Sequence, residues 1–81
     1  MKIHVLMFAA LAHAAGTDRV ELQLDDDATV AHAIERLAAR HPAVAAMRDR
    51  LATAVNTAYV GADHRLCDGD ELALIPPVSG G

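Results

Sequence analysis

The sequence predicts one small α+β domain, in which a main helix packs across a mixed β-sheet. From Arg19 to Leu24, apolar and polar residues alternate, which is typical of a strand with one buried face. From Val30 to Ala38, apolar residues recur at intervals of three and four, which indicates a helix with one buried face. The run from Glu71 to Ile75 reads as a strand that ends at two prolines. A length of 81 residues suits one such domain.

The first strand is predicted from Lys2 to Phe8, with apolar residues on both faces. Ala9 to Ala15 is alanine-rich and helix-prone, and Gly16 is placed to cap its C-terminus. Because this segment is too long for a two-residue turn, the first two strands form a wide hairpin. The two predicted faces of the first strand are Ile3, Val5 and Met7 on one side, and His4, Leu6 and Phe8 on the other.

The main helix is predicted to begin after Thr29, whose hydroxyl can cap it. The carboxylates of Asp25 to Asp27 would lie near the positive end of its dipole. Pro42 is expected to stop this helix. A shorter helical piece should follow, with apolar residues in register at Val44, Met47 and Leu51.

Short strands are predicted at 54–56 and 59–60, and a loop at 61–64. A sharp turn is predicted at 68–70, where Gly69 supplies a positive φ. The intervening helix allows the first and last strands to lie parallel in the middle of the sheet. This order is the β-grasp layout, with residues 1–76 as the domain and 77–81 as an extended tail.

Composition excludes several classes of function. A net charge of −4, with one Phe and one Tyr, gives neither a phosphate-binding surface nor aromatic platforms for bases, so we expect no nucleic-acid partner. No apolar stretch reaches the length of a membrane span, so we expect no membrane partner. The acidity suits a basic partner surface, or serves only solubility.

Cys67 is the single cysteine, which rules out an internal disulfide and suits a reducing, cytoplasmic compartment. We interpret it as a small, half-buried loop residue rather than a nucleophile, because no base is identifiable near it.

The apolar run from Ile3 to Ala15 after Lys2 also permits a secretory signal. Its single lysine and the interruption at His4 favour folded structure instead.

The body of the chain holds no evident catalytic constellation. The five histidines form no i, i+4 pair and no Cys/His cluster, so no metal is predicted. The aspartate run at 25–27 lacks the alternation of a calcium loop. The histidines are His4, His13, His32, His41 and His64.

The tail is the better candidate for chemistry. It runs Val78, Ser79, Gly80, Gly81 directly after Pro76 and Pro77. Prolines stiffen its base, and glycines carry no side chain to block a narrow tunnel. From Pro77, the tail reaches about 16–18 Å when extended, which suits insertion into another protein's active site. The plain alternative is a frayed end.

The segment from Leu66 to Gly81 resembles the end of the molybdopterin synthase small-subunit family, of the ubiquitin-like β-grasp sulfur carriers. A D-G-D-E turn leads there into an apolar strand and then P-P-V-x-G-G. The resemblance covers essentially the whole chain. Its other matching segments are Val5 to Ala9, Gly16 to Asp18, Thr29-Val30 and Ala54 to Asn56.

The resemblance implies a sulfur carrier rather than a complete enzyme. A partner enzyme would use ATP to adenylate the Gly81 carboxylate, and sulfur would displace AMP to leave a thiocarboxylate. The tail, positioned by Gly80 and the proline stem, would then enter the large subunit of a heterotetrameric synthase. There, two carriers would convert cyclic pyranopterin monophosphate into the dithiolene of molybdopterin. No cofactor would be permanently bound, and acid–base residues would belong to the large subunit.

The resemblance also implies an apolar partner interface on the sheet at Phe8, Tyr59 and Ile75. Phe8 and Ile75 independently end predicted strands in a chain poor in large side chains, which suits anchors. Ordinary sheet cover is the alternative. The family often carries an Arg-Glu pair after the first strand, where Ala12-His13 stands here.

Two rival functions stay open. The first is a sulfur carrier for thiamine, cysteine or another thiolation pathway, although Pro76-Pro77-Val78 favours the molybdopterin type. The second is a protein modifier or a plain β-grasp interaction domain.

Overall fold

The structure of the protein is a computed structural model that describes residues 1–77. Five strands, three helices and a 3₁₀ turn at Arg48–Arg50 make up this part of the chain. The strands are β1 (Lys2–Met7), β2 (Arg19–Gln23), β3 (Ala52–Val55), β4 (Ala58–Tyr59) and β5 (Glu71–Ile75). The helices are α1 (Ala9–Ala15), α2 (Val30–Arg40) and α3 (Pro42–Met47).

The five strands form one mixed sheet in the order β2-β1-β5-β3-β4. β1 and β5 are the parallel neighbours in this sheet, with Val5 opposite Leu72. β2 and β3 flank this pair in antiparallel orientation. The predicted parallel pairing of the first and last strands is therefore confirmed, and α2 lies in the crossover between them.

The helices cover one face of the sheet and enclose the core with it. Both faces of β1 are largely apolar, as predicted, but only one of them is buried, and the strand ends at Met7 rather than Phe8. Val5 is fully buried, whereas Leu6 on the opposite face is half-buried and Phe8 is 43% exposed. The core comprises Ile3, Val5, Met7, Leu11, Leu22, Leu24, Ala28, Val30, Ala33, Leu37, Val44, Val55, Leu66, Leu72 and Leu74.

The start of α2 has a capping box in which histidine takes the place usually held by Glu or Gln. The Thr29 hydroxyl accepts from the His32 backbone N–H at 3.4 Å, and His32 Nδ1 accepts from the Thr29 N–H at 3.0 Å. The predicted Thr29 cap is thus confirmed. The reciprocal hydrogen bond to His32 Nδ1 was not predicted from the sequence.

Pro42 separates the two central helices, as predicted. α2 ends at Arg40, and Pro42 is the first residue of α3, a position where its missing N–H carries no penalty. The predicted register is correct at Val44 and Met47, which lie in α3. The helical register predicted for Leu51 is wrong, because a 3₁₀ turn separates this residue from α3 and its backbone is extended.

The apolar N-terminal run is part of the fold. It forms β1 and α1, and both Ile3 and Leu11 are fully buried in the core. Within residues 1–77, no helix has the length and apolar character needed to cross a bilayer. Cys67 lies in a loop, as predicted, but its side chain is exposed rather than half-buried.

Candidate functional site

The face of the sheet opposite the helices, here called the open sheet face, is the first feature of the candidate site. Cross-strand register places one residue of every strand in a single row on this face. The row comprises Arg19, Leu6, Ala73, Ala54 and Tyr59. Its middle is therefore apolar, with a cation at one edge and an aromatic ring at the other.

The open sheet face becomes more apolar toward the end of β5. Ile75 lies opposite Ala52, and Phe8 follows Met7, which pairs with Leu74. The three residues predicted for a partner interface are Phe8 (43% exposed), Tyr59 (76% exposed) and the half-buried Ile75. Large exposed apolar side chains on one sheet face are typical of an interface.

The other half of the open sheet face is polar. His4 lies between Glu21 on one neighbouring strand and Glu71 on the other. Its Nδ1 is 3.8 Å from Glu21 Oε1, and Lys2 Nζ is 3.7 Å from Glu21 Oε2. A polar rim beside an apolar centre is the usual composition of a protein–protein interface.

The root of the tail is held at the apolar end of the sheet. Pro76 is buried and Pro77 is exposed, directly after β5. The two prolines line an open groove of about 300 Å³ together with Ala10, Met47 and Arg50. The start of α1 and the end of α3 thus border the point at which β5 continues into the tail. The other predicted tail residues, Val78, Ser79, Gly80 and Gly81, lie outside the described residues.

The D-G-D turn before β5 is a hydrogen-bonded corner with a structural role. Asp70 accepts from the Cys67 backbone N–H at 2.8 Å and from Asn56 Nδ2 at 2.9 Å. Asp68 Oδ1 accepts from the Lys2 N–H at 2.7 Å, which ties the turn to β1. Gly69 has the predicted positive φ, at 85°. These bonds fix the position at which β5 begins. They therefore also fix the position at which β5 ends and leads into Pro76 and Pro77.

Backbone strain occurs at positions that sequence reasoning missed. Ala9, the first residue of α1, has φ 51°. Asn56 and Thr57, in the β3–β4 turn, have φ 50° and 74°. Asn tolerates this region and could have signalled the turn, whereas nothing in the sequence marks Ala9 or the β-branched Thr57.

The described residues form no candidate metal centre. No cluster of three or more His, Cys, Asp or Glu side chains within residues 1–77 is arranged to hold a metal ion. The reacting position predicted from sequence is Gly81, at the end of the tail. The described domain thus offers a partly apolar sheet face, and Pro76 and Pro77 follow directly after β5.

A mixed five-stranded sheet crossed by α2, with a parallel central pair, defines the ubiquitin-like β-grasp class. Residues 5–81 match the ThiS family. The chain belongs to the ThiS family.

Relatives and solved structures are similar over the full chain. The molybdopterin synthase sulfur carrier subunit of Escherichia coli strain K12 is 42% identical over 81 residues, covering 98% of this chain and 99% of that protein. The subunit of the same name from Chlamydomonas reinhardtii is 37% identical over 83 residues, covering all of both.

Among solved structures, SAMP1 of Haloferax volcanii superposes with a TM-score of 0.90 at 35% identity, covering 100% of both chains. The resemblance to molybdopterin synthase sulfur carrier subunits and the ubiquitin-like β-grasp fold are both confirmed.

Proposed function

We propose that this protein is the sulfur carrier of molybdopterin synthase, with Gly81 as the residue that carries sulfur. The observation that carries the proposal is a family match that runs to residue 81, in a domain whose β5 leads directly into the tail. The identity of 42% to a molybdopterin synthase sulfur carrier subunit supports this pathway over other thiolation pathways. Thiamine, cysteine and other thiolation pathways are its rivals.

The first chemical step activates the terminal carboxylate. A carboxylate is a poor electrophile, so an activating partner must convert it into a mixed anhydride. The Gly81 carboxylate oxygen attacks the α-phosphorus of ATP, pyrophosphate leaves, and an acyl adenylate forms. The absence of a side chain at the last two positions allows this carboxylate to reach a buried phosphate.

The second step loads the sulfur. A sulfur nucleophile attacks the acyl carbon and AMP leaves. With hydrosulfide as the nucleophile, the product is a thiocarboxylate and one proton is released. Like a thiolate, the resulting sulfur is soft and nucleophilic.

Delivery requires that the domain docks while its tail enters a second active site. The open sheet face, with Phe8, Tyr59 and Ile75, is the proposed contact surface for the large subunit. Because Pro76 is held in the domain, docking of this face aims the tail in one direction. Two carriers would deliver the two sulfur atoms of the dithiolene, in a heterotetramer in the cytoplasm.

The test is the intact mass after incubation with ATP, sulfide and the cognate activating enzyme. Replacement of one oxygen by sulfur adds about 16 Da, which alkylation and fragmentation should localise to Gly81. A variant with one alanine appended after Gly81 is the matched control and should not gain mass. No gain in the wild-type chain, with an enzyme that loads another carrier, would rule out the proposal.

A second candidate is a protein modifier, because the chain is also 37% identical over 83 residues to a protein whose name calls it a small archaeal modifier. A lysine amine would then attack the acyl carbon of the same adenylate, AMP would leave with loss of a proton from the amine, and an isopeptide bond would form. Reconstitution separates the two candidates. A carrier should yield molybdopterin with the large subunit and precursor, whereas a modifier should yield higher-mass conjugates that retain the Gly81 carbonyl.

A further inference from the structure

The chain changes direction abruptly between β1 and α1. β1 ends at Met7, which is 2% exposed, and Leu11 in α1 is fully buried in the same core. Between these two buried anchors, the chain must leave the sheet and begin a helix. This change in chain direction depends on Ala9, whose φ of 51° lies in the left-handed region that L-residues disfavour.

This turn fixes the backbone of Phe8 to the first turn of α1. The carbonyl oxygen of Phe8 accepts from the N–H of Leu11 at 3.1 Å and from the N–H of Ala12 at 3.2 Å. Its ring is nevertheless 43% exposed. It borders a shallow notch of about 230 Å³ that Leu6 and Arg19, cross-strand partners on the open sheet face, also line.

We propose that Ala9 is a positioning residue, whose left-handed backbone holds the Phe8 ring on the open sheet face as a preorganised anchor for the large subunit. This inference rests on the proposed function. A strained conformation persists only where the surrounding structure imposes it, and such strain is concentrated at functional surfaces. A ring fixed before docking loses less conformational freedom when its partner binds.

Alanine suits this role better than glycine would. Glycine enters the left-handed region without steric penalty, but it also populates many other conformations. The alanine methyl group restricts the turn to a small region of φ and ψ once the flanking anchors are in place. The fold would tolerate glycine here, but the direction of the Phe8 ring would become less restricted.

The first test is the affinity of Ala9→Gly for the cognate large subunit. We expect an unchanged or higher unfolding midpoint and an affinity about 3- to 10-fold weaker than that of the wild-type chain. Ala14→Gly is the matched control, because Ala14 is an exposed residue of the same helix. It should lower the unfolding midpoint and leave the affinity unchanged.

A double-mutant cycle shows whether Ala9 acts through Phe8. In the background of Phe8→Ala, the substitution Ala9→Gly should cause no further loss of affinity. An equal loss in both backgrounds would overturn the inference, as would wild-type affinity of Ala9→Gly. If the wild-type chain does not bind the large subunit, the proposed function itself fails.

The ring can also be observed directly, because Phe8 is the single phenylalanine of the sequence. Fluorophenylalanine incorporated at this position gives one ¹⁹F signal. In the free wild-type protein, relaxation should report a restricted ring, and Ala9→Gly should make it more mobile. Identical ring mobility in the two proteins would refute the positioning role.

Discussion

Asn56 Nδ2 donates a 2.9 Å hydrogen bond to Asp70 Oδ1, which joins the turn after β3 to the turn before β5. The Asn56 side chain also uses its carbonyl oxygen, which accepts from the Glu71 N–H at 3.0 Å. Because these hydrogen bonds join the two turns at the start of β5, they set the register of β5, the strand that leads to the tail. The A-V-N and D-G-D-E segments therefore belong to one structural unit, although 14 positions separate Asn56 from Asp70.

The first prediction concerns this unit. Asp70→Ala removes an acceptor used by both Asn56 and Cys67, and should lower the free energy of unfolding by about 1–2 kcal/mol. Denaturant unfolding measures the change. Asp63→Ala, in an exposed loop, is the control and should stay within about 0.5 kcal/mol of the wild-type chain.

A double-mutant cycle of Asp70→Ala with Asn56→Ala tests the contact itself. The two losses should be smaller together than their sum. Strict additivity would show that the two turns are energetically independent, contrary to the geometry.

The second prediction concerns the strained β3–β4 turn. Asn56 and Thr57 both have positive φ, as a type I′ turn requires, and this turn favours Asn-Gly. Thr57→Gly should therefore raise the free energy of unfolding by about 1 kcal/mol, because it removes a β-branched residue from the left-handed region. Gly69→Ala, at φ 85°, should lower stability by about the same amount. Thermal unfolding of both variants checks the opposite signs, and a destabilised Thr57→Gly would contradict the interpretation.

The third prediction concerns the docking face. Ile75→Asp places a charge in the apolar half of the open sheet face and should weaken binding to the large subunit at least about 10-fold. Ala31→Asp makes the same change of charge on the exposed side of α2 and should bind as the wild-type chain does. Calorimetric titration measures both affinities. Equal affinities for the two variants would place the interface elsewhere.

The fourth prediction separates the domain from its tail. Gly81→Ala should abolish molybdopterin formation, because a methyl group at the reacting position obstructs a narrow tunnel. The unfolding midpoint should not change, since the core lies within residues 1–77. Synthesis assays with purified components provide the measurement, and substantial cofactor formation by this variant would count against the proposal.

Much of the fold could be predicted because its signals are local and periodic. The alternation in β2, the apolar face of α2 and the proline at 42 each act within a few residues. The parallel pairing of β1 and β5 was predictable from the crossover alone. The open face of β1 was not, since Leu6 and Phe8 are as apolar as their buried neighbours.

The candidate site could be predicted only at residues that a family resemblance or a large apolar side chain distinguishes from the rest of the sequence. Phe8, Tyr59 and Ile75 were predicted by resemblance, and the structure shows exposed or half-buried side chains, at two strand residues for Tyr59 and Ile75 and directly after β1 for Phe8. The left-handed Ala9 was missed, because alanine carries no sign of positive φ. Tertiary packing of Met7 and Leu11 imposes that conformation, and such constraints are absent from local sequence.

The position of β5 in the middle of the sheet has a consequence for the order of folding. β1 is made first, yet its parallel neighbour is the last strand of the described residues, so a nascent chain without 71–75 would leave the facing edges of β1 and β3 unpaired. Long-range pairing of this kind slows folding and delays closure of the core. The domain should therefore become cooperative only after β5 has been synthesised, and chains that lack this strand would be substrates for chaperones and proteases. β5 leads to the tail and is also the strand that joins β1 to β3. Under the proposed function, only a chain that has been synthesised through β5 could therefore dock.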